Sequence, residues 1–299
     1  MSQEYFLRAP RFLVHIRCET VTASRYGVRM ATSGLEVTFH QGRERAQVMR
    51  FTHTLDEVVR SLREIDQVYL ARAARATWVL ASLDQKSNRL VVRLEASNVP
   101  NGRGVADMLV PAEAFVEGAE TLAQVATVPR LFRPHTVTRM AHLAVPKSGV
   151  QTVSVAMYNG TRGPSVELSD LVHDNATRAV QPFSISYGTV TGRVFGVREV
   201  RKGRVRLSIR DERNQTAIEG EMTEKLAETA RESWRHRFIL GGKIRRNGRG
   251  QAIRMDVDRL EPMPEDNSGR PTTESLLGAG ASWFENESVD DAIAKMRND

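Results

Sequence analysis

Seven histidines, a single cysteine and one Gly-Gly-Lys run are the residues from which this chain could build catalytic chemistry. His15, His40, His53, His135, His142, His173 and His236 are scattered, and none has a second His, Cys or carboxylate at a spacing typical of metal ligands. His135 and His142 stand seven apart on a possible helix, where packing or solvent contact is the plainer role. Gly241-Gly242-Lys243 lacks the preceding glycine and following Ser/Thr of a phosphate loop, and it falls inside a strand pattern. Asp256 and Asp258 point to the same strand face but stand beside Arg254 and Arg259, so charge pairing explains them better than acid–base work. Cys18 alone can form neither an intramolecular disulfide nor a cysteine zinc cluster. The residues therefore predict a protein that is not an enzyme, with no catalytic residue, metal or cofactor.

Charge is the stronger signal. The net charge is +7, but residues 188–263 hold 18 Lys/Arg against 11 Asp/Glu, while residues 264–299 hold 3 against 8. Such asymmetry suggests separate binding tasks for the two segments. Arg204, Arg206 and Arg210 share one face of a strictly alternating strand, and Lys243, Arg245, Arg246 and Arg249 cluster on a later hairpin. Together they could line a groove that follows the phosphate backbone of DNA or RNA. Stacking platforms are few, with Tyr187, Phe195, Trp234 and Phe238 in that region, so protein binding or plain scaffolding competes with the nucleic-acid reading.

The elements that must position these groups fall into three segments. Residues 1–180 read as an α+β domain of unassigned role. A strand is expected at Phe12–Arg17 and another at Gly34–His40. A helix then follows from a capping box at Thr54 and Glu57, with Leu55, Val58, Val59, Leu62, Ile65 and Tyr69 at helical spacing. Next come a hairpin at Thr77–Leu83 and Leu90–Ala96, helices near Pro111–Gln124 and Thr136–Ala144, and a strand at Val150–Met157. No stretch approaches the roughly 18 uncharged apolar residues of a membrane span. Glu4, Arg8, Arg11 and Arg17 interrupt the N-terminus, so no secretory signal is read and a cytoplasmic, bacterial protein is expected.

Residues 187–263 give three strands, a helix from about Thr223 to Trp234, and two strands joined through Asn247-Gly248. In that order they resemble the OB fold, a small five-stranded barrel. The fold class expected is thus α+β: an N-terminal α+β domain, then a small OB-like barrel, then an extended acidic tail. The tail, residues 264–299, opens with a Pro-rich linker. It continues with apolar islands and a short helix over 288–298 capped by Ser288.

Residues 271–299 resemble the C-terminal segment of VapB-type antitoxins. Ser275-Leu276-Leu277-Gly278 matches the first element of that family. Val289, Asp290, Asp291 and Ile293 match its helix, and Arg297 with Asp299 its end. The resemblance implies neutralisation of a PIN-domain ribonuclease, a toxin whose active site is an acidic cluster holding a divalent metal. Leu276, Leu277, Trp283, Phe284, Val289, Ile293 and Met296 would dock in a groove on that toxin. Arg297, and after it Lys295, would enter the acidic pocket. Length and α+β pattern depart from the family, whose members are short chains with an N-terminal DNA-binding domain. The two functions expected are toxin neutralisation through the tail or nucleic-acid binding through the barrel.

Overall fold

The computed structural model describes residues 33–70, 76–97, 103–201, 203–232 and 236–263. The expected strand at 12–17, Cys18, Trp234, and the whole tail with its helix over 288–298 lie outside the described residues.

β1 (Ser33–Gln41) buries its apolar residues Leu35, Val37 and Phe39 against helices and turns Glu36, Thr38 and His40 to the opposite face. It pairs antiparallel with β3 (Arg89–Ser97) on one side and β4 (Val150–Asn159) on the other. β2 (Thr77–Lys86) and β5 (Thr161–Leu168) complete the sheet in the order β2-β3-β1-β4-β5. The helices α1 (Val48–Leu70), α2 (Val105–Gln124), α3 (Pro134–Leu143) and α4 (Asp170–Val180) supply the rest of that core. On the opposite face Glu36 is buried beneath two arginines, Arg93 at 3.0 Å and Arg162 at 2.8 Å.

β6 (Ser184–Arg201), β7 (Arg204–Asp211), β8 (Ala217–Thr223), β9 (Arg237–Arg246) and β10 (Ala252–Met263) close into a barrel in the order β10-β8-β7-β6-β9. α5 (Glu224–Glu232) connects β8 to β9. Val205, Leu207 and Ile209 fill the interior with Val194, Phe238, Leu240, Ile244 and Met255.

This arrangement corrects the expected fold class of an α+β domain followed by a small OB-like barrel and a tail. Strands hold about 47% of the structure and helices about 33%, as two five-stranded sheets, and all described residues fall in one compact unit. The physical reason is a shared core. Consecutive β6 residues point to opposite faces, and both Val194 and Phe195 are buried: Val194 packs inside the barrel, Phe195 in the helical core with Ala217 and Ile253. Backbone bonds run across the seam, from Leu131 N to Gln215 O at 2.9 Å and from Ala217 N to Phe132 O at 2.9 Å. Gln251 adds contacts to Thr127 and Val128, and Asn247 reaches Ala179 O.

Several elements differ from sequence expectation. α1 starts at Val48, so Thr54 is a buried residue within the helix and not its cap. α2 starts at Val105 with Pro111 inside it, and β5 and α4 occupy a stretch with no expected element. The carboxylate of Asp66 on α1 accepts bonds from Arg103 Nη1 at 3.0 Å, Arg103 Nη2 at 2.5 Å and Ala76 N at 3.0 Å. Asp66 is fully buried and Arg103 nearly so, and removing one member of such a pair leaves a buried charge alone. Asp66→Ala is therefore expected to cost about 3–5 kcal/mol in urea unfolding, against near-neutrality if the pair contributes nothing.

Candidate nucleic-acid interface

β7 alternates strictly, Val205, Leu207 and Ile209 inward and Arg204, Arg206, Ser208 and Arg210 outward. The outward arginines do not form an open groove, because carboxylates across the strand take them up. Register places Glu221 of β8 opposite Arg206, and its two oxygens serve three cations. Arg206 lies at 3.1 Å, Arg254 at 2.5 Å and Arg204 at 3.9 Å. Burial pushes the Glu221 carboxyl up, but hydrogen bonds from Arg206 and Arg254 and their charges outweigh it and hold the pKa below the ordinary value.

Arg210 has a different task. It bonds the Tyr69 carbonyl at 2.9 Å and Gln215 Oε1 at 2.6 Å, strapping the barrel to the end of α1. Burial, with the Arg130 and Arg193 charges behind it, lowers its pKa. Arg245 pairs with Asp256 at 3.0 Å, and Arg246 closes the β9–β10 turn by bonding Gly250 O at 2.9 Å. Lys243 and Arg249 have no carboxylate partner among the described residues. The structure therefore brings Lys243, Arg245, Arg246 and Arg249 together along one hairpin and separates them from Arg210. The tail residues Leu276, Leu277, Trp283, Phe284, Val289, Ile293, Lys295, Met296 and Arg297 lie outside the described residues.

The sequence reading missed the most exposed apolar group. Phe183, Ile185 and Tyr187 are 82%, 56% and 78% exposed. Their spacing of two puts them on one face of β6 and its entry. Ile185 stands across from Arg245 and Tyr187 across from Lys243. Ser186, between them, faces the other way, opposite buried Ile244. The signal was present as the alternation in Phe183-Ser-Ile-Ser-Tyr187, but the strand expected from the glycine pattern began at Tyr187 and cut it off.

The direction of the acids matters too. A cavity of about 390 Å³ beside Tyr187 is lined by Glu221, Asp256 and Asp258 against Arg204 and Lys243. Acids thus crowd this side of Tyr187, while Arg246 and Arg249 lie toward the β9–β10 turn.

Glu221→Gln tests the carboxylate's structural role. Because the folded pKa is depressed, the stabilisation is present above the unfolded value near 4.5 and lost as pH falls through the lower folded value. The melting-temperature gap between wild type and E221Q should be full at pH 7 and close on acidification; a gap independent of pH would contradict this account. No family model matches this chain, and no curated protein matches it either.

Proposed function

We propose that this protein binds single-stranded nucleic acid along the outer face of the β6–β9 strand pair. Bases stack on Phe183 and Tyr187, and the phosphates run past Arg245 toward Arg246 and Arg249. The observation that supports this most is the exposed Phe183-Ile185-Tyr187 stripe facing Arg245 and Lys243 across the strand pair. Large apolar side chains at alternate outward positions mark a contact surface, and aromatic rings interleaved with cations suit unpaired bases with their phosphates. The pair between Arg245 and Asp256 is no obstacle. Both side chains are partly exposed, and such surface pairs are worth about 0–1 kcal/mol, so a phosphate can displace Asp256. Binding of this kind is non-catalytic. No helix among the described residues is long and apolar enough to cross a membrane.

Stacking contributes about 1–3 kcal/mol per base, so Phe183→Ala with Tyr187→Ala should weaken binding to an oligothymidylate by at least about tenfold. Fluorescence anisotropy at low salt checks this, with an unchanged melting temperature because neither ring is buried. Equal affinity in the double variant would refute the reading. Arg249→Ala should weaken binding across sequences and lower the slope of log K against log salt by about 1.

A second reading is favoured by the Ser275-Leu276-Leu277-Gly278 element and by the acidity of the tail beside a basic barrel. In it, residues 271–299 wrap a PIN-domain ribonuclease encoded beside this protein and neutralise it. Deleting residues 271–299 should restore the growth defect caused by co-expressing that ribonuclease. Rescue that persists without the tail would end this reading.

A further inference from the structure

A cleft lies away from that strand pair, between the helical layer and β6–β8. It measures about 840 Å³, and Arg133, His135, Arg139, Arg198 and Arg206 line it with Glu64 and Glu219. The volume suits a ligand of nucleotide size. We infer that this cleft is a phosphate-binding site, for a phosphate carried by a free nucleotide or by the end of a nucleic-acid chain.

Three features support it. Arg198 and Arg206 stand directly opposite each other across the β6–β7 pair. Like charges in that position destabilise a sheet, and an anion between them would relieve the opposition. Arg206 is partly neutralised by Glu221 at 3.1 Å and Glu219 at 3.9 Å. Arg198 is exposed and has no carboxylate partner among the described residues. The buried Arg206 Nε also finds no acceptor there.

Second, the other guanidinium groups are held in place before any ligand arrives. Arg139 is fixed by Glu57 at 2.9 Å and Glu64 at 2.6 Å. Arg133 bonds Gln67 Oε1 at 2.8 Å and lies 4.9 Å from the centre of the Phe195 ring. Two carboxylates already take up Arg139, so Arg139 and Arg133 give the cleft a fixed wall, while Arg198 and Arg206 present the donors of their planar forks to a phosphate. Glu64 does not oppose this. Burial tends to raise its pKa, but bonds from Arg139 and Thr136 and the charges of Arg139 and Arg133 hold it below the ordinary value, so its charge is already matched.

Third, the backbone at the floor is closely packed at Gly196, and a helix begins beside it. Gly196 lies opposite Ser208, and a Cβ at Gly196 would come within 2.9 Å of the Ser208 side chain. The first turn of α3, with Pro134 at its start, also opens into the cleft and adds the positive end of a helix dipole.

The inference does not rest on the strand-pair reading, and the experiment separates the two. Calorimetry would compare AMP with adenosine. Anisotropy would compare 5′-phosphorylated with 5′-hydroxyl oligothymidylate, using wild type, R198E, and the Phe183→Ala/Tyr187→Ala variant. Phosphate-dependent binding of AMP that falls at least tenfold in R198E and persists in the aromatic variant supports the site with a free nucleotide as ligand. The same pattern confined to the phosphorylated oligonucleotide supports it with a chain end as ligand. The melting temperature of R198E should be unchanged or raised, because it relieves the Arg198–Arg206 opposition, so lost binding cannot come from unfolding. No difference between phosphorylated and unphosphorylated probes, or binding equal in wild type and R198E, overturns the inference.

Discussion

The path of β6 is the constraint on which the rest of the structure depends. Its first half, Ser184–Arg193, bonds to β9, and its second half, Gly192–Arg201, bonds to β7. The exchange of partners happens at Gly192, where a Cβ would lie 2.5 Å from the Arg210 carbonyl oxygen. Any side chain there would force the β6 and β7 backbones apart and open the barrel. Just beyond the exchange, Val194 and Phe195 fill the two cores in succession, so the same strand closes the barrel and fastens it to the helices. Both proposed surfaces are consequences of this. The exposed stripe at Phe183–Tyr187 lies on the half that pairs with β9, and the cleft residues Gly196 and Arg198 lie on the half that pairs with β7.

A net positive charge proves a poor guide to where an anion would bind. Glu221 engages Arg204, Arg206 and Arg254, and Glu36 does the same for Arg93 and Arg162 on the first sheet. Arginine is suited to this, since its planar fork is always charged and can satisfy an acid on one edge while leaving the other free. Whether a cation is already matched depends on the residue that faces it across the strand. Sequence spacing along one strand cannot reveal that, because the neutralising residue is set by register with the next strand.

The same limit explains what was legible. The alternation of Arg204–Arg210 was read directly, because an antiparallel barrel strand with one buried face imposes a period of two. The helical spacing of Val58, Leu62 and Ile65 on α1 was equally clear, but its first turn was not, since Val48 and Met49 are 75% and 78% exposed and add nothing to a buried face. β5 had no expected element, and it carries Gly163 and Pro164, residue types that ordinarily interrupt a strand pattern. At the end of the sheet, where its pairing with β4 shifts register, the lost donor of a proline leaves no ladder bond unmade. The seam between the two sheets was the least visible feature. Phe195 is one of the few aromatics of the barrel region, but a sequence does not say which core it fills, and that choice decides whether the barrel stands apart or joins the helices.

The two surfaces are built by opposite means, and this bears on what each could do. At the β6–β9 strand pair, apolar rings are left exposed and the nearby cations are only loosely matched, an arrangement tolerant of sequence and sensitive to salt. In the cleft the cations are fixed by partners behind them, Arg139 by two glutamates and Arg133 by a glutamine and a ring, so little ordering remains to be done when an anion enters. Loose matching favours an extended strand that can slide, and fixed donors favour one group in one place. β6 runs through both, its β9-paired half carrying the exposed rings and its β7-paired half the cleft residues Gly196 and Arg198.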